Sequence, residues 1–145
     1  MFTYTVAHDW DDSAQVVMDG LTAFNKPVIG PPNERKLSVI SRNDKNEVIA
    51  GLLAAVNLGW MYVAWIWVAE PQRRKGIGKE LMAKAETEAR TLDCHHVWLT
   101  TRDFQARPFY ESISYKVFAA LEDYPKGHTR FFMRKCLAPS AGDRG

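Results

Sequence analysis

No stretch of twenty apolar residues occurs in this chain, and its opening, MFTYTVAHDW, has neither a basic start nor an apolar core. The expectation is a cytoplasmic protein with no membrane-spanning helix and no secretory signal. Cysteine is scarce: Cys94 and Cys136 lie far apart with no CxxC spacing, which points to reduced thiols and away from a disulfide framework. An excess of one charge sign is lacking too. Nineteen Lys and Arg against seventeen Asp and Glu leave a formal charge of +2, too little to indicate a nucleic-acid partner. Neither an internal repeat nor a low-complexity tract is present. What remains is a composition ordinary for a soluble globular protein, 46% hydrophobic and 25% charged over 145 residues, enough for one domain with a substantial core.

The stretch WMYVAWIWVAEPQRRKGIGKEL, Trp60 to Leu81, organises the chain. Trp60 to Val68 is aromatic and β-branched without a charge, the pattern of a strand buried on both faces or nearly so. Pro71 ends it. From Lys79 onward Leu81, Met82, Ala85 and Ala89 recur at helical spacing, so a helix opens close to Gly76 and Gly78 and runs over about 75–91. The first backbone N–H groups of a helix have no partner within it and carry the positive end of the dipole, about half an elementary charge. Such an opening binds anions. Gly76 and Gly78 lack the Cβ atoms that would hold a phosphate away, and Arg73, Arg74, Lys75 and Lys79 bring charge to the same turn. A P-loop would need glycine at Arg73 and Ser or Thr at Glu80, and a dinucleotide fingerprint would need glycine at Leu81. Neither fits.

Around this unit the periodicities give a strand over Thr3 to His8, and then a helix opened by the Asp9 to Ser13 cluster. That helix carries Val16, Val17, Leu21 and Phe24 on one face and ends near Asn25 to Pro27. The Pro- and Gly-rich segment Lys26 to Arg35 reads as a loop. Strands follow at Lys36 to Ser41 and Glu47 to Val56, joined by a tight turn. Beyond the central helix come a short strand at Val97 to Thr100, a helix at Phe104 to Ser112 with Asp103 as its cap, and strands at Tyr115 to Leu121 and Thr129 to Leu137. Residues 138–145 read as a flexible tail and 1–137 as a single domain.

Arg73-x-x-Gly76-x-Gly78 after an apolar strand resembles the acetyl-CoA pyrophosphate signature of the GNAT N-acetyltransferase superfamily. A second segment, from Asp103 through Ala106, Tyr110 and Glu111 to Ser114 and Tyr115, is similar to that family's N-x-x-A-x-x-x-Y-E-x-x-G-F/Y pattern. The order of elements matches over nearly the whole chain. Asp103 stands where the family has Asn, and Ser114 where it has Gly. The resemblance implies an α/β (α+β) GNAT fold: a mixed, mostly antiparallel sheet of about seven strands flanked by helices, with splayed central strands. It further implies acetyl-CoA as co-substrate and no metal. Backbone groups of Ile66, Trp67 and Val68 would meet the pantetheine arm, Arg73 to Lys79, including Ile77, would hold the pyrophosphate, and Asp103 would lie at the cofactor side. A homodimer is common in that family.

Acetyl transfer to an amine needs a proton for the departing thiolate, and Tyr110 is the candidate donor, since a phenol titrates near 10 and an alkyl thiol near 8.5. The N–H of Val68 is the simplest oxyanion donor. For the base, Glu70, Glu122, Asp123 and His128 are open alternatives. Phe24, Asn25, Trp65 and Asp123 are the candidate acceptor contacts, and the acidic Glu122 and Asp123 favour a small cationic amine. Cys94, His95 and His96 are adjacent residues that point opposite ways on an extended chain and do not complete a metal site. The alternative to an N-acetyltransferase is a non-catalytic CoA-binding GNAT-fold sensor or interaction module.

Overall fold

The computed structural model describes residues 1–137, so the expected tail at 138–145 lies outside the described residues. The chain divides into two compact units, residues 1–33 and the part from Glu34 onward. In the first unit α1 spans Asp12–Ile29, with Asp11 as N-cap, its carboxylate accepting from the Ser13 N–H at 2.8 Å. The helix runs two residues past Pro27 and stops at Gly30, whose φ is 76° and whose N–H donates to the Lys26 carbonyl. The expected end near Asn25 to Pro27 is therefore too early. Proline's fixed φ is helical, and at this position it forfeits only one hydrogen bond, whereas the glycine supplies the actual stop. None of α1 is buried, and Val16, Val17, Leu21 and Phe24 are exposed. Thr3 to His8 forms no strand: alternation gives propensity, but a strand exists only where a partner completes its ladder.

The second unit is built on six strands: β1 (Arg35–Arg42), β2 (Val48–Asn57), β3 (Trp60–Val68), β4 (His96–Arg102), β5 (Lys116–Glu122) and β6 (Thr129–Cys136). Their order across the sheet is β1-β2-β3-β4-β6-β5, antiparallel throughout except for the parallel β3–β4 contact. The mixed α/β architecture is the expected one, with six strands in place of about seven. Helix α2 (Ile77–Thr91) lays Leu81, Met82, Ala85 and Ala89 over the core face, against β2 residues Ala50, Leu52, Ala54 and Val56 and β3 residues Met61 and Val63. Full burial of each large side chain here is worth about 1.5–3 kcal/mol, which makes this layer the main source of stability.

One buried polar cluster crosses that core. Glu86 of α2 accepts from the Tyr115 hydroxyl at 2.7 Å and from Lys135 Nζ at 2.8 Å, so both carboxylate oxygens are satisfied. Helix α3 (Arg107–Ser112) starts later than Phe104, with Ala106 as an N-cap that makes no side-chain bond. Pro108 explains this: its ring clashes with a helical carbonyl four residues earlier, so the segment before Arg107 turns instead. Asp103 caps nothing there.

β3 departs from the strand buried on both faces. Trp65 is 71% and Trp67 52% exposed. The cause is a bulge: Ala54 pairs with Val63 and Leu53 with Trp65, leaving Ala64 unpaired. Beyond it Ile66 and Val68 stand opposite the buried Leu52 and Ala50, while Trp65 and Trp67 share the opposite face with Leu53 and Gly51.

Candidate functional site

β3 and β4 pair over three rungs only, Trp60–His96, Met61–Val97 and Tyr62–Trp98, after which β3 continues six residues and β4 four without touching as a ladder. The sheet splits there. Into the α2 side of the split opens a cleft of about 590 Å³ lined by Ile66, Trp67 and Val68 from β3, by the 72–79 turn, and by Ala106, Phe109 and Tyr110.

The turn's geometry follows from its residues. A single 3₁₀ turn, Glu70–Gln72, closes β3, and Arg73 folds back so that its Nε donates to the Val68 carbonyl at 3.0 Å. Arg74 has φ 64° and Gly76 φ 80°, both left-handed, and this reversal aims the start of α2 into the cleft. No side chain caps α2, and its ladder begins only with the Glu80 N–H on the Gly76 carbonyl. The N–H groups of Ile77, Gly78 and Lys79 precede that first bond and face an opening that also holds Arg73, Arg74 and Lys79. A Cβ on Gly76 would meet nothing within 4 Å, so its glycine serves the backbone turn. Gly78 is different. A Cβ there would come to 3.4 Å from the Phe109 ring, at the edge of ordinary van der Waals contact, so only a side chain larger than alanine's would press on α3.

Tyr110 is buried to 5% exposure and packs edge-on against Phe109 and Tyr115, with ring centroids 5.1 and 6.0 Å away. Burial pushes its hydroxyl up to about 12, so it keeps its proton at any physiological pH.

Of the residues expected at the cofactor side, Ile66, Trp67, Val68, Arg73, Arg74, Gly76, Ile77, Gly78 and Lys79 line the one cleft with Tyr110. Lys75 does not line it, and its Nζ bonds Gln72 Oε1 at 3.2 Å. Asp103 is also absent from the wall. Its carboxylate accepts from His128 Nδ1 at 2.8 Å and from the Thr129 N–H at 2.9 Å, and these bonds, the backbone one first, hold it below the usual carboxylate range. Trp65 stands on the opposite sheet face, Asp123 accepts from the Gly127 N–H, and Phe24 and Asn25 lie on α1 in the first unit. Gln72, Ala106 and Phe109 were missed as cleft residues. Ala106 belongs to the second motif and Phe109 precedes Tyr110, so only contact with α2 reveals them. Among the described residues no group of three or more His, Cys, Asp or Glu could hold a metal, and no helix is long and apolar enough to cross a membrane.

The family model for the acetyltransferase (GNAT) family matches residues 7–115. The chain belongs to that family. Like others in the GNAT family it is an N-acetyltransferase with acetyl-CoA as donor. It is 31% identical over 124 residues to an acetyltransferase of Agrobacterium fabrum, covering 86% of this chain and 90% of the relative. It is 36% identical over 95 residues to blasticidin-S acetyltransferase of Streptomyces morookaense, covering 65% and 70%. A crystal structure of an acetyltransferase from Bacillus cereus shares the fold with a TM-score of 0.85 at 22% identity, over 94% of this chain and all of that one. A structure from Bacillus anthracis described as a streptothricin acetyltransferase in complex with acetyl coenzyme A matches with a TM-score of 0.63 at 19% identity, covering 70% and 62%.

Proposed function

We propose that the cleft between β3 and α2 holds the donor and that the amine acceptor meets it across the split sheet. One observation carries this reading: an uncapped helix start, three cations, the β4-side edge of the end of β3 and a buried tyrosine line a single cavity. The diphosphate of acetyl-CoA suits the N–H groups of Ile77 to Lys79 with Arg73, Arg74 and Lys79 around them. The pantetheine arm suits the free edge of Ile66 to Val68. Because the Val68 carbonyl accepts from Arg73, its N–H is the group left for the substrate. When bound, acetyl-CoA supplies a thioester to a primary amine.

Tyr110 keeps a proton at the cleft wall and donates it toward the departing sulfur. With its hydroxyl pushed up to about 12 by burial, against about 8.5 for a thiol, complete transfer to the thiolate would be uphill. The residue therefore acts chiefly through a hydrogen bond that strengthens as negative charge builds on sulfur. Among the four base candidates, His128 is the one whose ring is oriented by a carboxylate. Its Nδ1 is held by Asp103, which leaves Nε2 as the atom able to accept a proton. The family match across residue 33 supports reading 1–137 as one domain in function. Similarity to blasticidin-S acetyltransferase supports a small-molecule amine as acceptor.

The test is calorimetry with acetyl-CoA followed by thiol release across a panel of amines. Binding weakened at least tenfold by Arg73→Ala or Lys79→Ala, together with turnover on some amine, is expected. Acetyl-CoA affinity that ignores both substitutions would remove the donor site from this cleft.

A further inference from the structure

The face of the sheet opposite α2 carries its own unexplained arrangement. In β4 the residues Val97, Leu99 and Thr101 are buried, so Trp98, Thr100 and Arg102 alternate onto the other side. Register places Arg134 opposite Trp98, Phe132 opposite Thr100 and Arg130 opposite Arg102. Two guanidinium groups thus form a direct cross-strand pair, which is destabilising unless something negative sits between or above them. Among the described residues the ion pairs involve neither Arg102, Arg130 nor Arg134. The nearby Asp103 has both oxygens on His128 and Thr129, and Glu122 is one rung away, paired with Thr129.

Both arginines are held in place. Arg130 donates through Nε and Nη2 to Thr100 Oγ1 at 2.9 and 2.7 Å, and its Cζ lies 4.7 Å from the centre of the Tyr124 ring. Arg102 donates from Nε to the Tyr124 carbonyl at 3.2 Å, and its Cζ is 5.4 Å from the same ring. Both forks lie by one tyrosine, and among the described residues no hydrogen bond engages the Nη groups of Arg102 or Nη1 of Arg130. Further back along β4 on the same face, Tyr62 stacks on Trp98 at 4.2 Å, and this pair is the last shared rung of β3 and β4. Phe132 links the two groups, its ring 6.4 Å from that of Trp98 and 5.6 Å from the Arg130 Cζ, so an aromatic stack at the apex of the split continues through Phe132 to the fixed cations.

We infer that this face selects an acceptor amine bearing a carboxylate and a planar ring, the ring on Tyr62 and Trp98 and the carboxylate on Arg102 and Arg130. The inference deepens the acetyltransferase reading and rests on it for the transfer step. It reverses the charge of acceptor expected from Glu122 and Asp123.

Matched acceptors test it: phenylalanine against phenylalaninamide and tryptophan against tryptophanamide, each with saturating acetyl-CoA. The carboxylate member should have the higher kcat/KM by at least tenfold, and Arg130→Gln should raise its KM at least tenfold with a smaller change in kcat. In parallel, phenylacetate should perturb tryptophan fluorescence of the unmodified protein and phenethylammonium should not, a comparison that holds even if the variant fails to fold. Amides equal to or better than acids, or no transfer to either member while acetyl-CoA binds, overturns the acceptor assignment and leaves the donor cleft intact. Failure of acetyl-CoA to bind removes the donor reading instead, and the phenylacetate titration then decides the anion site alone.

Discussion

Gly78 and Phe109 face each other across the α2–α3 contact so closely that a Cβ on the glycine would lie 3.4 Å from the ring's Cζ. The second glycine of the R-x-x-G-x-G turn is thus set against an aromatic side chain. That relationship separates the roles of the two glycines. Gly78→Ala should leave stability within about 1 kcal/mol, because the contact stays near van der Waals distance and alanine favours the helix. Gly78→Leu should displace Phe109 and cost about 1–3 kcal/mol, as overpacking does. Gly76→Ala should cost about 1–2 kcal/mol through its φ of 80° alone. Urea unfolding of the three variants ranks them, and a Gly78→Leu as stable as the parent protein would refute the packing role.

Removing the Tyr110 hydroxyl is expected to lower kcat by about 10²-fold or more while KM for acetyl-CoA moves little. Since its pKa lies near 12, the parent protein should show no loss of kcat attributable to this group below about pH 11. Steady-state rates of Tyr110→Phe and a pH profile of the parent check both points. Unchanged turnover in the variant rejects the role.

Stability should fall at alkaline pH. Burial pushes Tyr110 up to about 12, and burial first and the Glu86 carboxylate second push Tyr115 up as well. A folded-state pKa above the unfolded value near 10 means the stabilisation is complete below pH 10. It is then lost as pH rises from 10 toward the folded value, at about 1.4 kcal/mol per pH unit per tyrosine. Urea midpoints at pH 9, 10 and 11 should decline only over the last interval, and Tyr115→Phe should soften that decline. A flat series would contradict the burial of both hydroxyls.

Ser114 occupies φ 76°, the left-handed region, where a side chain is strained. Ser114→Gly should therefore raise stability by about 1 kcal/mol, an effect read as a higher melting temperature. A lower melting temperature would mean that the serine makes compensating contacts in solution.

Much of this protein was legible in the order of its residues. The apolar run from Trp60, the basic glycine turn and the periodic helix after it named the strand, the uncapped helix start and most residues lining the cleft proposed for the donor, because each depends on neighbours within a few positions. Asp103, by contrast, read as a cofactor residue or a cap, and it is the β5–β6 loop, twenty-five residues on, that takes its carboxylate. The bulge at Ala64 could not be read locally either, since an alternating strand and a bulged one have the same composition.

Local propensity and motif spacing, acting through backbone geometry, determined most of the elements, the family and the basic glycine turn. Only tertiary packing decided which face Trp65 and Trp67 take, that Gly78 faces the Phe109 ring, and that Arg102 and Arg130 meet across two strands twenty-eight positions apart in sequence. Those are properties of register and of close approach between distant segments. Free energy there comes from pairs of residues that the chain brings together only when the sheet has formed.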